Sequence, residues 1–223
     1  MNLFYLLTVP VLLYFIWTAW RIFPALVFAF NPTGGQYQFI DMSDEDLSSR
    51  AANRISEILS QLQQLGFRRL GTKSEKSSRW SDTLYEFSLA NPDLHAFASL
   101  VKDPKRCVYY FYTPFTDGTI LLTAGKGAAF PTIQRQDCVQ RVSAYDNPDR
   151  VLADHQEQLQ RFTAIGLAPF YSYTQESRLE ATRQYYAAPA IQHLAHRLGI
   201  LGVIYLLFPL LLIAVLLFLG SRG

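Results

Sequence analysis

Leu198–Ser221 reads LGILGVIYLLFPLLLIAVLLFLGS and contains no side chain that is charged at neutral pH. The opening stretch Met1–Trp20, MNLFYLLTVPVLLYFIWTAW, is equally free of charge. Each is close to the roughly 20 residues that a helix needs to cross the hydrocarbon core of a bilayer. All 18 acidic residues lie between Asp41 and Glu180. The pattern predicts two transmembrane helices, within residues 1–30 and 197–223, on either side of one folded domain, residues 31–196.

The first apolar stretch ends with Trp17, Trp20 and Arg21, an aromatic-then-basic sequence typical of a helix end at the membrane interface. A cleaved signal peptide is the alternative, but it needs a basic start and a small-residue cleavage site, and neither is found here. Residues 22–30 remain apolar after Arg21 and include Pro24. They form either a short interfacial helix or the continuation of a tilted span.

The arginines near the two apolar stretches predict the orientation of the domain. Arg21, Arg178, Arg183 and Arg197 lie on the domain side, whereas the far side has only Arg222. Because basic residues are enriched in cytoplasmic segments, we expect a cytoplasmic domain with both termini on the opposite side of the membrane.

The domain itself has the pattern of an α+β fold. Apolar residues at three- and four-residue spacing predict a helix over 43–65. The period then changes to two, with short turns, which predicts an antiparallel meander of about five strands and a weaker sixth near 137–143. Two C-terminal helices follow, one from Asn147-Pro148 to Gly166 and one from about Thr174. The five predicted strands are 67–72, 79–90, 94–102, 106–113 and 118–124.

The strand 108–113, VYYFYT, carries aromatic side chains on both of its faces. Alternation puts Tyr109 and Phe111 on one face and Tyr110 and Tyr112 on the other. Either helices cover both faces, or one face forms a groove for an apolar ligand or a partner. We take Tyr109, Tyr110 and Tyr112 as the candidate ligand or partner contacts.

Composition argues against several functional classes. After Arg21 and Arg222 are set aside, residues 31–197 hold 18 basic and 18 acidic side chains, so the domain lacks the basic excess that nucleic-acid binding requires. Cys107 and Cys138 are about 30 residues apart, which matches no zinc or redox spacing. We therefore predict no nucleic-acid partner and no cofactor.

The motifs that could support chemistry are weak. Ala124–Gly127, AGKG, lacks the glycine and the hydroxyl residue of a phosphate-binding loop and is read as a turn. His193 and His196 are spaced to share one face of a helix, but no acidic residue is near, and we predict no metal site. His155 lies beside Asp154 and is the one weak catalytic candidate, with a core histidine as the alternative.

The turns of the meander predict a basic end of the sheet. We expect this end to contact anionic headgroups, together with Trp17, Trp20 and Arg21 of the first span, although ordinary solvated turns are the alternative. The basic residues assigned to this membrane-surface contact are Lys73, Lys76, Lys102, Lys105 and Arg106.

These observations favour a non-enzymatic membrane-anchored accessory or scaffold protein. Its partners would be membrane lipids and another membrane protein or further copies of itself. A membrane-tethered module that binds a lipid or other apolar molecule between the curved sheet and a helix is the alternative. A membrane hydrolase is the third option, and it requires His155 to be open to solvent.

Overall fold

The computed structural model describes residues 3–40, 49–77, 81–102, 107–170 and 172–222. The chain divides into two compact units. The helix unit consists of Met1–Gly35, Ser77–Asp82 and Gln192–Gly223. The α+β unit consists of Gln36–Lys76 and Thr83–Ile191.

Two long helices make up most of the helix unit. Helix α1 spans Leu3–Phe30 and helix α5 spans Pro189–Arg222. At 1.5 Å per residue they are about 42 and 51 Å long, so both exceed the roughly 30 Å of a hydrocarbon core. Residues 22–30 continue α1 rather than forming a separate helix, and a single 3-10 turn follows at Pro32–Gly34.

Helices α1 and α5 pack against each other in antiparallel fashion. The hydroxyl groups of Tyr14 and Tyr205 are 2.7 Å apart, and the ring of Phe30 meets the ring of His196 edge-on at 5.7 Å. Small residues allow this approach, because a Cβ atom on Gly199 would lie 3.0 Å from the Cβ of Ala29. Close backbone approach at small residues is the usual basis of helix pairing in membranes.

The outer surfaces of this pair are apolar. Among the described residues, all of the exposed large hydrophobic side chains belong to α1 or α5 except Leu84, Tyr145 and Ile165. Only 6% of the apolar window of each helix is buried. Both helices are thus long and apolar enough to cross a membrane, and they differ from core helices of soluble proteins, which are mostly buried.

The α+β unit contains one eight-stranded sheet, so the prediction of about five strands was too low. The strand order is β1-β2-β3-β4-β5-β6-β8-β7, and every neighbouring pair is antiparallel except β6 and β8. The strands are β1 Gln36–Ile40, β2 Arg68–Lys76, β3 Leu84–Asn91, β4 Ala96–Lys102, β5 Cys107–Pro114, β6 Ile120–Ala124, β7 Ile133–Gln134 and β8 Cys138–Val142.

The extra strands carry weak sequence signals. Strand β1, QYQFI, is short and half polar, and β7 has only two residues. Gly71, near the end of the predicted strand 67–72, lies in the middle of β2 instead. The register between β2 and β3 shifts at Arg69/Gly71, and Gly71 has a φ of 138°, a conformation that glycine adopts without strain. Gly71 therefore forms a bulge, and the strand continues to Lys76.

Helices cover both faces of the sheet. Helix α2 spans Ser49–Gln64 and α3 spans Pro148–Ala164, and both pack on one face, whereas α4, Gln175–Ala187, packs on the other. The first residues of the predicted helix 43–65 lie outside the described residues. The apolar core under α2 and α3 contains Ile55, Ile58, Leu62, Phe67, Phe87, Leu89, Leu100, Tyr109, Phe111, Val151 and Leu152.

Candidate functional site

The sheet face under α4 carries charged and hydroxyl side chains in place of an apolar core. Alternation along the strands directs these side chains to the face opposite to Phe87 and Phe111. Four residues, here called the buried charged cluster, lie at its centre and are at most 8% exposed. They are Lys73 and Glu75 of β2, Glu86 of β3 and Arg178 of α4.

Glu86 is the hub of this cluster. Lys73 lies directly opposite Glu86 in the sheet register, and its Nζ is 2.9 Å from Glu86 Oε1. Arg178 Nη2 donates to the same oxygen at 2.9 Å, and the hydroxyl of Tyr110 donates to Oε2 at 2.7 Å. Ser99 adds a hydrogen bond to Oε1 at 3.2 Å. Both carboxylate oxygens are therefore satisfied inside the protein.

The charge state of Glu86 follows from these contacts. Burial opposes ionisation of the carboxyl group, but the charges of Lys73 and Arg178 and the hydrogen bonds from Lys73 and Tyr110 outweigh it. The result is a pKa of about 2 for Glu86, which keeps it ionised.

Lys73 links Glu86 to a second carboxylate. Its Nζ is 3.2 Å from Glu75 Oε2 and 3.1 Å from Thr182 Oγ1 on α4. The hydroxyl of Tyr186 donates to the other oxygen of Glu75. Burial, and then the neighbouring charge of Glu75, raise the pKa of the Tyr186 phenol well above its ordinary value, so it remains a proton donor.

Arg178 is the member of the cluster that α4 contributes. Its Nη1 donates to Thr182 Oγ1 at 2.7 Å, and its Nη2 also donates to Ser99 Oγ at 3.0 Å. The guanidinium lies 5.7 Å from the ring centre of Phe97 and 5.3 Å from that of Tyr112. Among the described residues no hydrogen-bond partner reaches Arg178 Nε.

The buried charged cluster joins α4 to the sheet. Two cations face two anions, so the cluster is neutral as a whole, and each charged group has a partner within 3.2 Å. The hydroxyl of Tyr112 adds a 2.6 Å bond to the carbonyl of Ala181 on α4. Because a buried charge that loses its partner is strongly destabilising, these contacts give α4 one defined position on the sheet.

Lys73 therefore corrects one of our predictions. We expected it at a membrane surface, but its side chain is 1% exposed and bound by two carboxylates. Its alternating position in β2 turns it toward α4.

The three tyrosines predicted as ligand or partner contacts are interior residues, each at most 8% exposed. Tyr109 packs under α3, with its hydroxyl 2.9 Å from the carbonyl of Asp146. Tyr110 and Tyr112 lie under α4 and bind Glu86 and Ala181. Helices thus cover both faces of this aromatic strand.

His155 is fully buried, and threonines bond both of its ring nitrogens. Thr113 Oγ1 donates to the carbonyl of His95, so at 2.9 Å it accepts from His155 Nε2. Thr123 Oγ1 then donates to Nδ1 at 3.0 Å. Burial lowers the pKa of His155 to about 3. The solvent access that the hydrolase reading requires is missing, and the geometry is that of a neutral core histidine.

The other residues predicted at the membrane surface differ in how exposed they are. Trp20 is 77% exposed, and Arg21 lies 4.8 Å above the ring of Trp17, which is 55% exposed. Lys76 is half-buried at the end of β2. His193 and His196 are both exposed in the helix unit, and no group of three metal-ligating side chains occurs among the described residues. The side chains of Lys102, Lys105 and Arg106 lie outside the described residues.

The sequence reading missed Glu75, Glu86 and Arg178. One usable signal was present, because Glu86 is a charged residue inside a strand whose alternate positions are apolar or small, and Lys73 and Glu75 are charged residues on one face of the neighbouring strand. Pairing β2 with β3 in the correct register would have put Lys73 and Glu86 opposite each other. The bulge at Gly71 shifts that register and conceals the pairing.

A second feature lies within the helix unit. A cleft of about 560 Å³ runs along α1 beside the connection between β2 and β3. It combines aromatic, charged and hydroxyl side chains from Trp20, Arg21, Pro24, Ala25, Phe28, Ser77, Ser81 and Asp82.

No protein-family model, no curated protein and no solved structure matches this chain.

Proposed function

We propose that this protein is a non-enzymatic membrane-anchored accessory or scaffold protein that holds its α+β domain at the cytoplasmic face of a bilayer for a protein partner. The observation that carries the proposal is the distribution of apolar surface. Nearly all exposed large apolar side chains of the described residues belong to the paired helices α1 and α5. Such a surface requires lipid or protein around it.

The pairing of α1 with α5 supports an anchor formed by both helices. The hydroxyl groups of Tyr14 and Tyr205 share a hydrogen bond of 2.7 Å, and Gly199 and Gly202 face Ala29 and Leu26. In hydrocarbon, polar side chains need such partners, so a paired hairpin is a suitable membrane structure.

The buried charged cluster supports the scaffold role. The contacts of Lys73, Glu86 and Arg178 are internal, and they hold α4 against the sheet. A rigid domain with internally paired charges is suited to presenting a surface to a partner. The space that the ligand-binding alternative assigned to an apolar molecule, between sheet and helix, is occupied by Phe97, Tyr112 and Arg178.

The anchor is tested by alkaline carbonate extraction of membranes that contain the full chain. We expect the protein to stay in the membrane fraction, and we expect protease added to sealed cytoplasm-inside vesicles to leave the α+β domain intact. Leu211→Lys and Ile204→Lys together should weaken insertion, because both side chains are exposed on α5. Leu84→Lys, at an exposed position of the α+β unit, is the matched control. Release of the unmodified chain by carbonate would refute the anchor.

The scaffold role is tested by native mass spectrometry on the protein purified from its own membranes in mild detergent. A stoichiometric protein partner that remains bound is expected. A chain that carries only a small apolar molecule would favour the ligand-binding alternative instead.

A further inference from the structure

Arg21 is the only charged residue of α1, and it lies nine residues before the end of this helix. It lies between Tyr14, which meets Tyr205, and Leu26, which meets Gly202. Arg21 is therefore level with the Gly202–Tyr205 segment of α5. That segment is four to seven residues inside the uncharged stretch of α5, or about 6–10 Å from its start. A charge at this depth in a membrane helix requires a partner.

The cleft beside Arg21 contains the groups that a lipid headgroup recognises. Trp17 lies under the guanidinium at 4.8 Å and limits its orientation. Asp82 supplies a carboxylate to the same cleft. Ser77 Oγ donates to Ser81 Oγ at 3.0 Å, so the connection between β2 and β3 contributes a hydroxyl pair.

We infer that this cleft binds the headgroup of an aminophospholipid such as phosphatidylethanolamine. The inference rests on the proposed membrane anchorage. Arg21 binds the phosphate, because a guanidinium offers two parallel donors to two phosphate oxygens. Asp82 accepts from the primary ammonium group. The exposed ring of Trp20 lies at the boundary between headgroup and acyl chains, where tryptophan is enriched.

The paired charges select among lipid classes. The described residues that line the cleft include one cation, Arg21, and one anion, Asp82; this pair matches a zwitterionic headgroup, whereas a purely anionic headgroup would meet the repulsion of Asp82. Phosphatidylcholine is also zwitterionic, but its quaternary ammonium has no N–H group to donate to a carboxylate. The ligand chemistry is thus a phosphate joined to a primary amine.

The test is native mass spectrometry of the full chain in mild detergent with equimolar phosphatidylethanolamine, phosphatidylcholine and phosphatidylglycerol of identical acyl chains. The phosphatidylethanolamine adduct should dominate. Arg21→Gln should lower it about tenfold, the effect expected from losing charge-assisted hydrogen bonds. Arg21→Lys should retain part of the binding, because it keeps the charge. Asp82→Asn should shift the preference toward phosphatidylglycerol.

Arg197→Gln is the matched control, since it removes an exposed cation from α5 within the same unit. Circular dichroism of each variant verifies folding. Equal adducts of the three lipids, a preference of the unmodified chain for phosphatidylglycerol, or equal losses in Arg21→Gln and Arg197→Gln would overturn the assignment. Carbonate extraction of the membranes from which each protein is purified separates this failure from a failure of the membrane anchor.

Discussion

Lys73 and Glu86 face each other across β2 and β3, and their Nζ and Oε1 atoms are 2.9 Å apart in the interior of the protein. Arg178 reaches the same carboxylate from α4 at 2.9 Å. Arg178 thus adds a helix residue to the ion pair between the two strands. Glu86 pairs with the neighbouring strand and with a helix residue 92 positions later in the sequence, so the position of α4 depends on Glu86.

Glu86→Gln should destabilise the fold by about 3–5 kcal/mol, because it leaves two buried cations with one fewer anion. Urea unfolding of the full chain in detergent, followed by near-UV circular dichroism, measures this loss. Glu180→Gln is the control on α4, since its bond to Arg183 is exposed and should contribute less than about 1 kcal/mol. Equal effects of the two substitutions would show that the cluster does not stabilise the fold.

His155 should make the fold sensitive to mild acid. Its folded-state pKa of about 3 lies below the ordinary value of 6.5, so the unfolded chain takes up a proton that the folded chain does not. Stability is then fully present above pH 6.5 and falls as the pH drops from 6.5 toward 3, by at most about 1.4 kcal/mol per pH unit.

Unfolding titrations between pH 7 and 4 test this dependence. We expect His155→Gln to be less stable at pH 7 but to flatten the slope in this window. His95→Asn is the control, because His95 is exposed and has a φ of 49°, which asparagine tolerates. A slope that is unchanged in His155→Gln would contradict the assignment.

Cysteines at positions 29 and 199 should form a disulfide between α1 and α5. The Cβ of Ala29 lies 3.0 Å from the position of a Cβ on Gly199, close to the 3.5–4.5 Å of disulfides. The double variant Ala29→Cys/Gly199→Cys is made in a background that lacks Cys107 and Cys138. Its oxidation should produce a faster-migrating band on non-reducing gels.

The outward-facing pair Leu13→Cys/Leu211→Cys should not cross-link within one chain, since both side chains are more than 60% exposed. Efficient cross-linking of that pair, or its failure at 29 and 199, would be inconsistent with the observed helix interface.

Gly125→Ala should cost about 1–3 kcal/mol, because the added Cβ would lie 2.8 Å from ring atoms of Tyr109. Gly127→Asn is the comparison in the same turn. Gly127 has a φ of 86° and no atom within 4 Å of an added Cβ, and asparagine accepts this conformation. Urea unfolding should show a clear loss for the first variant and a change within about 0.5 kcal/mol for the second. A stable Gly125→Ala variant would indicate that the Tyr109 ring moves freely.

Local patterns were sufficient for several elements. Asn147 accepts a hydrogen bond from the backbone N–H of Asp149, so α3 begins where Asn147-Pro148 predicted. Thr174 accepts from the N–H of Ser177 at the start of α4. Each of these helix starts depends on residues within one turn of each other, so it can be predicted from the local sequence.

Non-local pairings were not predictable in the same way. Strand β8 lies beside β6 in parallel, and β7 fills the edge, although neither strand has a strong period of its own. The burial of Lys73 depends on a bulge at Gly71 and on α4, which lies about a hundred residues later in the chain. A pattern read along the chain therefore assigned Lys73 to a surface turn.

The amino-acid sequence by itself determined the two apolar helices, the mostly antiparallel α+β domain between them and the starts of α3 and α4, because hydropathy, periodicity and capping act over a few neighbouring residues. Only the tertiary structure decided that Tyr14 meets Tyr205, that threonines enclose His155 and that Glu86 joins Lys73 to Arg178. Those contacts depend on strand register and on the docking of helices, which bring together residues from separate elements. The partner of each of these side chains cannot be predicted from its own type and neighbours.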